Sequence, residues 1–312
     1  MGLSKGNVLE PSCGVGNFMG LVPDSMEKIR MYGVELDSIS GRIAQQLYQK
    51  NKIAVQGFET MQFPDSFFDC VVGNVPFGNY KVPDKRYDRH NFLIHDYFIA
   101  KSLDLVRPGG VVAVVTSSGT MDKQDDRVRR YIAQKCDLLG AIRLPSNAFL
   151  ANAGTEVTSD ILFLQKREYP RALNAELPDW VETTKVYEND FVNERGEKKH
   201  QVVTGNSYFQ QHPEMVMGEL EIVSGTYGPQ LSCKAKVGAN LKEQLEEAVE
   251  RIQGEIADYE VEELVEADDI SIPADPSVNN FSYTIYDGKV YYRENSRMRQ
   301  VELSVTAANR VK

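Results

Sequence analysis

The chain has 312 residues, 42% of them hydrophobic and 9% aromatic, enough to bury the core of one large domain or two ordinary ones. No run approaches the ~18 apolar residues of a membrane span, and Met1-Gly-Leu-Ser-Lys5 lacks the charged-then-apolar pattern of a leader. The net charge of −10 is local: residues 241–270 hold 12 acidic and 2 basic residues while the remainder is neutral, so a nucleic-acid partner must be held by local basic clusters.

In chain order, residues 7 to 165 alternate short strands and helices, the pattern of a parallel α/β sheet. Asn7-Val-Leu-Glu10 is a strand running into a Gly-rich turn and then a helix, and Met31-Tyr-Gly-Val-Glu35 is a second strand. A helix follows, with Ile39, Ile43, Leu47 and Tyr48 on its apolar side. Ile53–Gln56 and Phe68–Val72 are the third and fourth strands; Phe92–Val106 is an amphipathic helix stopped by Arg107-Pro-Gly-Gly110. Val111–Val115 is a buried strand, Asp125–Cys136 a helix with a basic face, and Leu138–Leu144 and Ile161–Gln165 two further strands. From about Glu168 the sequence turns polar, and a boundary is expected there. The expected division is a catalytic domain at 1–167, a polar insertion or recognition region at 168–240, an acidic amphipathic helix at 241–270, and at 271–312 a β-hairpin around Asp287-Gly288 leading into a linker.

Two short segments carry chemistry. In Glu10-Pro-Ser-Cys-Gly-Val-Gly-Asn-Phe18, Gly14 and Gly16 leave a bare backbone at a strand end, where a ligand can come close. Met19 stands where a dinucleotide loop needs its third glycine, which disfavours nicotinamide. Glu10 can pair with the ammonium of a methionine moiety, and Glu35 at the next strand end can take ribose hydroxyls. The pattern points to S-adenosylmethionine. The second segment, Asn74-Val-Pro-Phe77, follows a buried strand directly, so it projects from the sheet's carboxyl edge. An aromatic amine is a poor nucleophile because its lone pair is shared with the ring. The Asn74 side-chain oxygen and the carbonyl of Val75 can each accept one amine hydrogen and so free that lone pair. Pro76 stiffens the loop, and Phe77 can stack on a base for ~1–3 kcal/mol.

At these residues the chain resembles N6-adenine DNA methyltransferases in which a Glu-Pro-x-x-Gly-x-Gly-x-Phe motif precedes Asn-Pro-Pro-Tyr/Phe. It is similar, over Leu9–Gly20, Tyr32–Asp37, Gly73–Tyr80, His90–Tyr97, Gly119–Lys123 and Ile142–Asp160, to the methylase part of large methylase–helicase proteins of bacterial conjugative elements. The resemblance implies a Rossmann-like class I fold, with a seven-stranded sheet of order 3-2-1-4-5-7-6, the seventh strand antiparallel, and a smaller C-terminal α+β region. It implies S-adenosyl-L-methionine as cofactor, held by Glu10, Pro11, Ser12, Cys13, Gly14, Gly16, Asn17, Phe18, Glu35, Leu36, Phe58 and Glu59, and Asn74, Val75, Pro76 and Phe77 as the catalytic loop. Tyr80, Lys81 and Phe149 are the expected substrate contacts. DNA is the expected partner, with a downstream helicase domain in a longer protein and no membrane; oligomeric state stays open.

Three departures stand out. Val75 replaces the motif's first proline, Gly57-Phe58-Glu59 occupies the stretch where the family has an adenine-reading Asp, and the segment the family carries before the first strand is not seen, so a fragment is expected. A methylase of protein glutamine or an RNA base amine shares the tetrapeptide, and a non-catalytic module is the rival of another class.

Among other residues, His95 and Asp96 are expected to cap or pack their helix, since methyl transfer needs no general base. Lys81, Lys85, Arg86 and Arg89 form one basic cluster and Arg127, Arg129, Arg130 and Lys135 another; either can hold phosphates or be plain surface. Phe149 is either a pocket wall for a flipped base or a loop anchor. Cys13, Cys70, Cys136 and Cys233 form no C-x-x-C pair, which argues against a metal and against disulfides and suits a reducing cytoplasm. Neither Cys13 nor Cys70 follows a proline, as a cytosine-C5 nucleophile does.

Overall fold

The computed structural model describes residues 1–26, 28–172, 174–192, 198–225, 228–256, 271–275, 277–279, 282–294 and 297–301. A seven-stranded sheet is built from β1 (Lys5–Glu10), β2 (Lys28–Glu35), β3 (Lys52–Val55), β4 (Phe68–Asn74), β5 (Val106–Ser117), β6 (Cys136–Leu144) and β7 (Ser159–Lys166). Their order is β3-β2-β1-β4-β5-β7-β6. The first five strands are parallel, and β7 runs antiparallel to both β5 and β6, as the resemblance implied. This is the class I S-adenosylmethionine-dependent methyltransferase sheet. Its consequence is positional: the ends of β1, β2 and β4 come together at one edge, where open α/β sheets take their ligands.

The helices differ from their sequence reading in instructive ways. Helix α1 (Ser38–Leu47) starts where Asp37 accepts the Ser40 N–H at 2.7 Å. It buries Gly41 and Ala44, not the expected aliphatic side; Ile39 is 62% exposed, and Ile43 and Leu47 also face outward. The reason is steric, because a Cβ on Gly41 would lie 2.9 Å from Val55, so only the smallest face fits the sheet. Helix α2 (Ile94–Leu105) is buried on all sides rather than amphipathic. Its polar residues are accommodated by partners: Asp96 accepts from Thr120 and pairs with Lys123, and Asp104 accepts from Tyr87 and Lys135.

Beyond β5 lie α3 (Gly119–Asp122), α4 (Arg127–Lys135) and, in the β6–β7 connection, α5 (Leu150–Ala153). The expected basic face of α4 does not form. Arg129 is fully buried and donates to the carbonyls of Val181, Thr120 and Lys123, while Arg127 pairs with Asp125, Arg130 with Asp126 and Lys135 with Asp104.

After the sheet, β8 (Thr183–Val192) and β9 (Lys198–Asn206) form one hairpin. Helix α6 (Ser207–Gln211) leads to a second, β10 (Gly218–Gly225) with β11 (Gly228–Ala235). Trp180, Val181, Phe209, Val216 and Cys233 join the same hydrophobic cluster as Leu9 and Val71 of the sheet. A buried ion cluster fastens this region: Arg143 on β6 meets Asp160 on β7 through two 2.9 Å hydrogen bonds and Asp122 at 2.8 Å, and its guanidinium lies 4.1 Å from the Phe209 ring.

The acidic helix α7 (Leu241–Glu250) is shorter than its spacing predicts. Ile252 and Ile256 lie beyond it and pack on the sheet side, and Tyr259 falls outside the described residues. A separate sheet of order β12-β15-β14-β13 contains β12 (Ser271–Pro273), β13 (Tyr283–Tyr286), β14 (Lys289–Glu294) and β15 (Arg297–Gln300). The hairpin turn is at Asp287-Gly288, both with positive φ.

Candidate active site

β1 delivers Glu10 to the carboxyl edge, and the chain then folds into tight turns. Gly14 and Gly16 have φ of +55° and +88°, a region that side chains oppose. A Cβ on Gly16 would strike the Tyr48 ring at 2.5 Å, whereas one on Gly14 would enter open space. The loop is therefore backed by Tyr48 and bare on its other side. The Gly14 N–H donates to Glu35 at 2.7 Å, and the Cys13 N–H to the Val34 carbonyl at 3.0 Å, so β1 and β2 shape the loop jointly. Each Glu35 oxygen holds one backbone donor, the second from Asp37 at 2.7 Å, and keeps a lone pair for a hydroxyl.

The helix expected after this loop is absent. Met19–Leu21 and Asp24–Met26 form short 3-10 turns, the Leu21 N–H donating to the Phe18 carbonyl at 3.1 Å and the Met26 N–H to the Pro23 carbonyl at 2.9 Å, and Pro23 separates the first turn from the second. Ligand contact here therefore depends on the loop's own amides rather than on a helix terminus.

Glu10 is only 2% exposed, and its Oε2 has no hydrogen-bond partner among the described residues. Burial pushes its carboxyl up to about 8, against the Phe18 N–H that donates to it and with the Glu35 charge adding to the rise. A carboxyl held this way either keeps its proton or takes a cationic partner. Cys13 is also buried, and burial, with Glu10 and Glu35 nearby, raises its thiol to about 12, so no thiolate nucleophile forms. Pro11 is buried, Ser12 and Phe18 are half-buried, and Asn17 and Leu36 are exposed around the loop. Phe58 is buried, its ring 4.9 Å from Phe98, so its position offers backbone and its half-buried neighbour Glu59 offers the carboxylate.

The amine loop abuts this site. A Cβ on Gly73 would lie 3.5 Å from the Glu10 side chain, and Asn74 is the next residue and the last of β4. The Asn74 side chain is exposed and makes no hydrogen bond among the described residues. Val75 is buried, donates its N–H to the Val115 carbonyl at 3.0 Å, and has a carbonyl that accepts no bond among the described residues. The valine thus anchors by burial what a proline would stiffen covalently. Pro76 and Phe77 are half-exposed, with Phe77 resting on the main core.

Tyr80 folds over Gly78 and its carbonyl accepts the Ile94 N–H at 2.9 Å, while exposed Lys81 donates to Asn91. Phe149 lies elsewhere, packed with Ile142, Leu144 and Met215, which is the anchoring role. His95 is buried with neither ring nitrogen bonded; burial lowers its affinity for a proton, so it is neutral packing. Of the first basic cluster, Arg86 is committed to Asp65 and Asp104, leaving Lys81, Lys85 and Arg89 at the surface.

Two residues beyond Val115, the register partner of Asn74, a cleft of about 690 Å³ opens between β5 and the two hairpins. Ser117, Ser118, Lys123, Thr158, Thr204 and Ser232 are among its lining residues. No group of three or more His, Cys, Asp or Glu side chains is placed to hold a metal among the described residues, and no described helix is long and apolar enough to cross a membrane. Sequence reasoning missed Tyr48, the hydroxyl-lined cleft, and Asp84 and Lys101 behind the two loops; none belongs to a contiguous motif.

The N-6 DNA Methylase family matches the chain over residues 3–214, more than half of its length. Defense against restriction protein B of Escherichia phage P1 is 34% identical over 183 residues, covering 57% of this chain and 8% of that protein. Type II methyltransferase M.CvrRI of Paramecium bursaria Chlorella virus XZ-6E is 28% identical over 166 residues, covering 52% and 42%. The chain thus spans less than half the length of either. Among solved structures, a class I S-adenosylmethionine-dependent methyltransferase from Listeria monocytogenes is similar with TM-score 0.44 and 21% identity, covering 56% of each chain. A protein described as a modification subunit of a type I restriction enzyme from Vibrio vulnificus YJ016 gives TM-score 0.43 and 17% identity, covering 77% of this chain and 57% of its own.

Proposed function

The chain belongs to the N-6 DNA Methylase family, and on that premise we propose that it transfers a methyl group from S-adenosylmethionine to the N6 amine of adenine in DNA. The observation that carries the reading is the buried, partly unpartnered carboxyl of Glu10, whose side chain lies against Gly73, the residue before the exposed Asn74.

Glu10 would hold the cofactor's ammonium, the Gly14 backbone would lie along its methionine portion, and Glu35 would take the ribose hydroxyls. When bound, the cofactor supplies an electrophilic methyl on a sulfonium. The Asn74 oxygen and the Val75 carbonyl accept the two amine hydrogens, which frees the nitrogen lone pair. Phe77 stacks on the base. No side chain needs to take a proton before transfer.

The region 168–240 is the recognition part of this reading, supported by Thr204 and Ser232 on the cleft that begins at Ser117, two residues beyond the register partner of Asn74, where hydroxyls can meet base edges. Lys81, Lys85 and Arg89 are the phosphate contacts. We place the chain in the cytoplasm, supported by its four free thiols, and within a longer methylase–helicase protein, supported by the length of the phage relative.

The test is transfer of labelled methyl groups to DNA, RNA and cell protein, with Asn74→Ala alongside. Label in DNA as N6-methyladenine is expected, with transfer by Asn74→Ala reduced at least about a hundredfold and cofactor-product affinity within about twofold. Label in protein alone gives the glutamine reading. Binding without transfer to any acceptor gives the non-catalytic one.

A further inference from the structure

We propose that Lys101 is a positioning residue that ties the cofactor's adenine loop to the amine loop, so that one buried ammonium sets both. The inference rests on the functional reading of Phe58–Glu59 and Asn74–Phe77.

Lys101 sits in the middle of α2 and is 7% exposed. An ammonium has three hydrogens to donate, and here all three have acceptors: the Phe58 carbonyl at 2.8 Å, the Asp84 carboxylate at 3.1 Å and the Glu59 carbonyl at 3.4 Å. The same nitrogen lies 5.0 Å from the centre of the Phe58 ring and 5.8 Å from that of Tyr97.

The two loops reach Lys101 from different strands. Residues 57–61 close on themselves, with Thr60 and Met61 bonding back to Gly57 and Phe58; apart from the neighbouring Gln56 side chain, which donates to the Met61 sulfur, this turn's side-chain bonds to the rest of the described residues come from Lys101. Asp84 lies seven residues after Phe77 and nucleates a second closed turn. Its carbonyl accepts the N–H groups of Tyr87 and Asp88 at 2.8 Å, and its carboxylate accepts the Arg86 N–H at 3.1 Å. That carboxylate hangs on α2 twice, from Lys101 and from the Tyr97 hydroxyl at 2.9 Å, one turn earlier on the helix. A shift of either loop must therefore be felt at the other through Lys101.

Energetics argue against a role in stability alone. Burial opposes the charge on Lys101, with Asp84 and Glu59 restoring part of it. An apolar side chain of similar length fills such a position at no greater cost. Retaining a charge there gains geometry rather than stability.

The test uses the full chain with Lys101→Met, Lys101→Arg and the double variant Lys101→Met/Asp84→Asn, the last leaving no carboxylate stranded. Hydrogen exchange is followed with and without S-adenosylhomocysteine, together with calorimetric affinity and melting. In the wild type, the ligand is expected to slow exchange at both 11–16 and 78–88. In Lys101→Met and the double variant, protection at 78–88 is lost, that at 11–16 persists, and affinity falls about tenfold. Lys101→Arg restores most of both, and the double variant melts within about 4 °C of the wild type. Equal protection at 78–88 in wild type and folded variants overturns the inference alone, as does an affinity loss that merely tracks melting. Failure of the wild type to bind S-adenosylhomocysteine takes down the functional reading and this inference with it.

Discussion

Two buried charged sites in this molecule are treated in opposite ways. At Arg143, 0% exposed, two carboxylates surround the guanidinium, and the cluster locks β6 and β7 to α3 and the region around Phe209. At Glu10, also buried, one oxygen lacks a partner among the described residues and a second acid, Glu35, stands nearby. The first arrangement is complete and therefore architectural. The second is incomplete among the described residues, and under the proposed function a cationic ligand completes it. A buried charge marks a site by what it lacks, not by its burial.

The comparison can be broken most directly at Arg143. Arg143→Met leaves Asp160 and Asp122 buried together without their cation, and is expected to lower unfolding free energy by about 3–5 kcal/mol. Urea denaturation measures it, and a loss below about 1 kcal/mol would make this cluster as dispensable as the Glu10 site is predicted to be.

Glu10→Gln should do the reverse. The native carboxyl titrates near 8 and the unfolded one near its ordinary value, so between them the native state holds the extra proton. Stability then falls as pH rises through that window and is lowest above it, the sign set by the unfolded state binding fewer protons. A neutral amide removes this cost. The unliganded variant is expected to be more stable at pH 8 by roughly 1–3 kcal/mol, yet to bind S-adenosylhomocysteine at least about tenfold more weakly. Destabilisation by this change would mean that the site is self-sufficient.

The pH dependence of binding sharpens the same point. If the ligand's ammonium needs the Glu10 carboxylate, binding releases a proton below about pH 8. Affinity should weaken by up to about tenfold per pH unit as pH falls from 8 towards 6, and calorimetry in buffers of different ionisation heat should show the proton leave. In Glu10→Gln both signals should vanish.

How much of this was readable in the sequence follows the same division. The geometry of the proposed cofactor loop was legible because its parts are local: Gly14 and Gly16 have positive φ, and Glu10 and Glu35 end adjacent strands. The strand order came with the family resemblance and agrees with the observed sheet. Periodicity misread α1, since Ile39, Ile43 and Leu47 recur at helical spacing while the close approach of Val55 admits only Gly41 and Ala44. It misread α2 too, because Lys101 and Asp104 find their partners at Phe58, Asp84 and Lys135, tens of residues away. Arg129 looked like surface charge for the same reason; its acceptors are carbonyls of two other segments, Thr120 and Lys123 at α3 and its end, and Val181 after the sheet. Charge satisfied at long range leaves no local trace.

The four cysteines give the molecule its own reporters. All are free and buried, and burial raises each thiol well above the usual range, Cys13 and Cys70 to about 12 and Cys233 to about 11. A thiol reagent in solution therefore meets almost no thiolate until its part of the fold opens. Cys13 sits in the cofactor loop, Cys70 on β4, Cys136 at the start of β6 and Cys233 on β11. Pulse labelling resolved by peptide mass would time four separate openings in one unmodified chain, and a ligand that clasps the first loop should slow Cys13 while leaving Cys233 at its own pace.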